Sequence, residues 1–377
     1  MRIIRRQLWR IGLVGGFVLV AGVVAASAGA VPPPTVSTVV TGLDNPRDLD
    51  LGPGGLYVAE AGHGGPNCFT GPDGTTCVGF TSQISRIDVQ AHTFHPVVTG
   101  LVSVSDETGG GATGVDGISF LNGSVHGIIT GSADSVPDSL PGISDSVVAA
   151  AKRQLGQLIV ADPWSGYVRL VADVGDADYQ WTGDRPDLVP GQFPDANPYA
   201  VLALPGEDWV IDAGSNTLDD VRTGARWSSV GVEVFFPNPA SADAVPTCID
   251  RGPDGALYIG ELTGEGNPPG SAVVWRYTRD GGLTEWASGL TTVTGCGFGA
   301  DGHFYAVEFS TDGLDGPPGT GALVEVPAHS TSPNVVADGF SFPGGFAAGP
   351  DGSVYFSNWS VAPAVSGMGS VVKVSNP

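Results

Sequence analysis

A short segment recurs along this chain at a near-constant interval. Gly252-Pro253-Asp254-Gly255 followed by Ala256-Leu257-Tyr258-Ile259-Gly260-Glu261 reads as a tight turn opening a strand. Ala300-Asp301-Gly302-His303-Phe304-Tyr305-Ala306-Val307-Glu308 repeats it, and so does Pro350-Asp351-Gly352-Ser353-Val354-Tyr355-Phe356-Ser357-Asn358. Gly52-Pro53-Gly54-Gly55-Leu56-Tyr57-Val58-Ala59-Glu60 is an earlier copy. The tyrosines at 258, 305 and 355 lie 47 and 50 residues apart. A period of that length belongs to propellers and solenoids, whose units cannot bury a hydrophobic face alone. With 58 glycines and 30 prolines, the chain suits many short strands joined by turns, not long helices.

Each copy can be written as four strands, a to d. The first has 46–51, 56–60, 83–88 and 96–101. The second has 115–121, 125–130, 156–161 and 168–174, and the third 198–204, 209–212, a weak c at 220–223, and 232–236. The fourth has 246–251, 257–261, 272–278 and 283–289, and the fifth 293–299, 304–308, 322–327 and 334–339. The sixth has 343–349, 354–358 and 369–375, and lacks strand d. Thr38-Val39-Val40-Thr41-Gly42-Leu43 resembles Val97-Val98-Thr99-Gly100-Leu101 and can supply it. The expected fold is an all-β, six-bladed β-propeller over 31–377, with the N-terminal strand closing the last blade and leaving no interior edge unpaired. Residues 62–81 and 131–155 do not fit the repeat. The long segments 61–82, 131–155, 262–271, 309–321 and 359–368 all join b to c, and 175–197 opens on the same side. One face therefore gathers the loops, which is where a rigid scaffold carries its function. Ser144 to Leu155 reads as a short helix capped by Ser144 or Asp145.

Residues 1–30 have a different character. Arg2, Arg5, Arg6 and Arg10 precede an uncharged apolar run from Ile11 to Ala26, and Ala26-Ser27-Ala28 and Ala28-Gly29-Ala30 offer small-x-small cleavage points. This is the pattern of a secretory signal peptide. The run is shorter than the about 20 residues a membrane span needs, so no stable span is expected after cleavage. Arg5-Arg6-Gln7-Leu8-Trp9 loosely fits a twin-arginine signal, and the export route stays open. Without its four arginines the chain carries 12 basic residues against 39 acidic, a net charge of −27. Such a surface repels nucleic acid and anionic lipid. Neutral molecules, sugars, cations or an extracellular protein are the partners expected of a monomer outside the cytoplasm, secreted or held in the cell envelope. Four cysteines in an exported chain imply two disulfides. Cys68 and Cys77 flank one loop. Cys248 and Cys296 fall in corresponding strands of adjacent repeats, one residue out of register, which permits a bridge between blades.

Strand b ends in a polar residue in five repeats: Glu60, Asp212, Glu261, Glu308 and Asn358. Oxygen ligands around a channel mouth are what Ca²⁺ prefers, so Glu60, Asp212, Glu261 and Glu308 are candidate metal ligands. The alternative is that they cap strands and satisfy loop backbone, which repetition in nearly every blade favours. Asn45, Arg47, Glu60, Asn197 and Asp212 are the candidate ligand-binding set. Arg47, one of few bases, stands between Asn45 and Glu60 and could orient an acidic group. The six histidines are scattered, and His92 and His95 fall at a turn on the opposite face. No GxSxG elbow, HExxH pair, Walker loop or GxGxxG opening a helix is present.

Several stretches carry a resemblance in order along the exported chain: Val-Thr-Gly-Leu-Asp-Asn-Pro-Arg at 40–47, Leu-Tyr-Val-Ala-Glu-Ala-Gly-His-Gly-Gly at 56–65, the Cys68–Cys77 loop, Asn197-Pro198-Tyr199, Asp212-Ala213-Gly214-Ser215-Asn216, and 252–264. They resemble the ScyD/ScyE family of exported proteins. That resemblance implies a secreted β-propeller and supplies no reaction. Asp48 and Asp50 depart from the small or apolar residues usual there. Two functions follow as expectations: a propeller binding a small molecule or protein on its loop-rich face, or an enzyme resembling calcium-dependent lactonases and related hydrolases, or quinone-dependent sugar dehydrogenases.

Overall fold

The computed structural model of the chain describes residues 33–71, 74–237, 242–361 and 366–377. The expected signal peptide lies outside the described residues. Strand b is apolar up to its last residue because both of its faces are covered by neighbouring blades: Leu257–Glu261 and Phe304–Glu308 are buried at every position. The outermost strands are largely exposed instead, as Gly282–Leu290 is, because one face meets solvent. These patterns assemble six antiparallel sheets into a six-bladed β-propeller. The inner strands are Pro46–Gly52, Val115–Leu121, Pro198–Leu204, Pro246–Arg251, Val293–Phe298 and Gly344–Ala348. They neighbour one another around the ring, and the last contacts the first. Thr35–Leu43 pairs antiparallel with Gly369–Ser375 as the outer strand of the sixth blade. The ring closes as the sequence predicts.

Close approach of the inner strands explains their composition. A Cβ on Gly345, which has φ +54°, would stand 2.5 Å from Arg47 O, and one on Gly117 would stand 2.8 Å from Tyr199 O. Polar side chains then bridge the blades. Asp48 Oδ2 accepts from Ile118 N at 3.1 Å, Asp50 Oδ2 from Phe120 N at 2.7 Å and Asp250 Oδ2 from Phe298 N at 2.8 Å. Ser119, at the position equivalent to Asp50 and Asp250, accepts from Ala203 N at 3.1 Å. The aspartates at 48 and 50 thus lock blade 1 to blade 2. Both disulfides form, and Cys248–Cys296 joins the inner strands of blades 4 and 5. Tyr57 and Tyr305 are fully buried between blades, and Tyr258 and Tyr355 nearly so.

Two departures from the sequence reading bear on the loop-rich face. Part of 62–81 is not loop: Asn67–Gly71 pairs with the first half of the long strand Gly74–Asp88, giving blade 1 a fifth strand. The neighbouring strand is long as well, Thr93–Asp106. The 175–197 link also opens with a helix, α2 (Val174–Gly183), whose N-cap Asp173 accepts Asp176 N at 3.1 Å. Its buried positions include Gly175, Asp178 and Thr182, so no apolar helical period announces it. The expected helix is α1 (Asp145–Lys152), with Ser144 at the N-cap position but no side-chain cap bond. Blade 3's weak strand c is a full strand, Thr217–Thr223.

Candidate functional site

The polar residues ending strand b all face the loop-rich side, and each meets its own local partners. Glu60 Oε2 accepts Asp44 N at 2.9 Å, Glu308 Oε1 accepts Thr291 N at 2.7 Å, and Asn358 Oδ1 accepts Ser341 N at 2.8 Å. For Glu60 and Glu308 the donor lies two residues before the inner strand of the same blade, and for Asn358 it lies three residues before it. The side chain therefore ties the entering link to the top of the blade and satisfies an otherwise orphaned N–H. Glu60 Oε1 also accepts from Gln83 Nε2 at 2.8 Å and Ser85 Oγ at 2.5 Å. Glu261 accepts from the Trp275 indole. Asp212 Oδ1 accepts from the N–H groups of Asn197, Gly214 and Ser215, each at 2.8 Å. The four carboxylates considered for calcium sit on four separate blades. Among the described residues no group of three or more His, Cys, Asp or Glu is arranged to hold a metal ion.

Burial raises these carboxyls. Glu261 is pushed to about 8 by desolvation, against its bond from Trp275, and Glu308 to about 7 by the same cause. Glu60 is raised by burial against its hydroxyl, amide and backbone donors. Blade 3 holds a denser arrangement. Asp178, delivered by α2, lies buried against Asp212 and Asp219. Among the described residues, no hydrogen-bond donor meets either oxygen of Asp178, Oδ2 of Asp212 or Oδ1 of Asp219. Facing carboxylates in that state repel one another when all are ionised. Burial first, then the neighbouring carboxylates, hold Asp178 and Asp219 well above the usual range, and burial raises Asp212 despite its three N–H donors.

The other sequence candidates hold the mouth of the ring together. Asn45, in the left-handed region at φ +48°, donates from Nδ2 to Gly62 O at 2.8 Å and Gly109 O at 3.0 Å. Asn197 Oδ1 accepts from Thr130 Oγ1. Arg47 is buried, with Nε 3.5 Å from Asp116 Oδ1 and a bond to Ala112 O. Tyr199 packs against the same pair. Arg47, Asp116 and Tyr199 are the second residues of the inner strands of blades 1, 2 and 3. The structure therefore joins Arg47 to a carboxylate and a phenol that sequence reasoning did not single out. Behind them lies an axial cavity of about 230 Å³ lined by all six inner strands. Asp48, held to about 7 by burial, and Asp50, held to about 6, border it with Asp250. Asp116 is raised to about 6 by burial, opposed by Arg47.

One pair was not visible in the sequence. Asp44 Oδ2 lies 2.8 Å from His63 Nδ1, while Asp44 Oδ1 accepts from Ser366 Oγ at 2.7 Å and Gly367 N at 2.6 Å. The imidazole is 40% exposed on the loop-rich face. A carboxylate on Nδ1 favours that nitrogen as the donor and leaves Nε2 facing away from it. His63 follows Glu60 by three residues, but Asp44 reaches it from a different link. No local spacing marks the pair.

No family model matches the chain, and no curated protein matches it. Solved β-propellers do. A gluconolactonase from Xanthomonas campestris aligns over 94% of this chain and 93% of its own at 9% identity, TM-score 0.53. A streptogramin B lyase aligns over 91% and 97% at 14% identity, TM-score 0.45. The Nidogen/Laminin complex contributes a chain aligned over 75% and 86% at 12% identity, TM-score 0.46. These likenesses are likenesses of fold. The two disulfides are consistent with a protein outside the cytoplasm. No helix among the described residues is long and apolar enough to cross a membrane.

Proposed function

We propose that this is an exported β-propeller of the ScyD/ScyE type whose loop-rich face binds a small molecule or an extracellular protein. The observation that carries the reading is the use made of the strand-b termini. Glu60, Asp212, Glu308 and Asn358 accept loop N–H groups, so they fix the loops of that face as a platform on which a ligand can rest. The residues expected to touch ligand, Asn45, Arg47, Glu60, Asn197 and Asp212, then shape the surface on which ligand sits. The test is elemental analysis of the purified protein, with melting in EDTA and in added Ca²⁺. Absence of stoichiometric metal and an unchanged melting temperature are expected. Stoichiometric calcium with a large melting shift would overturn the reading in favour of a calcium-dependent hydrolase.

The Asp44–His63 pair favours a second reading, a propeller enzyme in which Nε2 of His63 acts as general base on the loop-rich face. Under it, His63→Gln abolishes turnover of a lactone or ester panel without changing the melting temperature. A panel that gives no His63-dependent turnover removes it.

A further inference from the structure

The segments outside the repeat enclose a second space, away from the axis. It lies between the added hairpin of blade 1, the segment 131–143 and α1, and has a volume of about 250 Å³. Phe69, Val104, Val136, Leu140, Ile143 and Val148 are among its apolar lining residues. Ile143 and Val148 are buried and belong to the same apolar cluster as blades 1 and 2. Among the described residues, two hydroxyls line it, from Thr76 and Ser135, and no charged side chain does. Ser135 Oγ already donates to Ser132 O at 2.8 Å. Water needs two to four polar partners to stay in such a space, and apolar cavities of comparable size stay dry and accept small hydrocarbons.

The polar bonds of this region hold the wall from outside. Lys152 Nζ donates to Val136 O and to Asp138 Oδ1, both at 2.7 Å, fastening 131–143 to α1. Cys68–Cys77 closes the hairpin beside Phe69 and Thr76. None of these features is required to complete a blade. The volume is just below the roughly 300–1,000 Å³ of pockets that take drug-sized ligands. The strongly acidic chain disfavours an anionic amphiphile.

We propose that this cavity, walled by Phe69, Val136, Leu140 and Val148, binds a small, uncharged, apolar molecule of about bicyclic size. The inference rests on the reading of the loop-rich face as a recognition surface and narrows it to a ligand class. The test titrates the oxidised exported protein with N-phenyl-1-naphthylamine and follows its fluorescence. One saturable equivalent is expected. Leu140→Trp and Val136→Phe, which fill the space, should weaken binding at least tenfold. Trp164→Ala, at an exposed turn on the opposite face, should not. Absence of saturable binding, or binding that both filling variants leave intact, overturns the proposal. Should the variants melt early, benzophenone photolabelling of the unaltered protein decides it. Insertion into 69, 136–148 or both supports the site, and insertion elsewhere overturns it. A metal-free protein that ignores the probe removes this inference alone. A calcium-loaded protein that ignores the probe removes the binding reading with it.

Discussion

The ring and the off-axis storey above blades 1 and 2 are built on opposite principles. In the ring, inner strands approach so closely that Gly117 and Gly345 have no room for a side chain, and aspartates bridge the remaining polar gaps. In the storey, a hairpin, a helix and an irregular segment meet around a cavity fastened from outside by Lys152 and a disulfide. The repeat dictates the first. Nothing periodic dictates the second, so its shape is free to follow a ligand. Each region has its own disulfide, and removing them separately is the strongest way to break the comparison. Cys248–Cys296 closes a separation of 48 residues within the ring. The chain-entropy model assigns such a loop about 4 kcal/mol. The paired Cys→Ala variant should lose about that much in denaturant unfolding, as one transition. Cys68–Cys77 spans 9 residues, and its loss should cost about 2.7 kcal/mol or less. Probe binding should suffer more from this second loss than from the first. Equal effects of both pairs on probe binding would mean that storey and ring are one cooperative unit.

The difference also accounts for what the sequence revealed. Strands repeat because Tyr57, Tyr258, Tyr305 and Tyr355 fill equivalent places between blades, and such packing leaves a period in the chain. Thr35–Leu43 was legible as the missing outer strand for the same reason. The helix α2 was not, because it buries glycine, threonine and a carboxylic acid in place of an apolar stripe. His63 and Asp44 meet through two loops, and Asp178 meets Asp212 and Asp219 through a helix and two strands. Those contacts depend on tertiary geometry alone. The strand-b carboxylates were legible as a set, and their role follows from the donors that the neighbouring links present to them.

Acidity sharpens the comparison next. The ring buries Asp48, Asp50, Asp116, Glu261 and Glu308 with their carboxyls held at about 6 to about 8, and the contact of α2 with blade 3 adds Asp178 and Asp219 in the same direction. Each is raised above its unfolded value. Its contribution to stability is therefore fully present below about pH 4 and is lost as pH climbs through the folded values. The melting temperature should fall between about pH 5 and about pH 8.5, by several degrees. Asp178→Asn, which removes one of the facing carboxylates, should reduce that fall. A melting temperature that rises over this window would show that these carboxyls ionise in the fold at ordinary values, or that a cation offsets them.

The smallest expected effect asks whether the strand-b caps belong to the ring or to a reaction. Blade 6 performs with Asn358 what blade 5 performs with Glu308: an oxygen accepts an N–H of the link just before the inner strand, which opens at Gly344 or Val293. A neutral amide is thus already sufficient in this molecule. Glu308→Gln keeps the accepting oxygen and removes a buried group whose charge is unfavourable above about pH 7. It should be neutral at pH 5 and neutral or slightly stabilising at pH 8.5. Glu308→Ala leaves Thr291 N without its partner and should cost about 1–3 kcal/mol at either pH. Melting both variants at both values checks this. If Gln costs as much as Ala while calcium or turnover disappears with it, the carboxylate serves chemistry that an amide cannot, and the boundary drawn between scaffold and function moves inward to the strand ends.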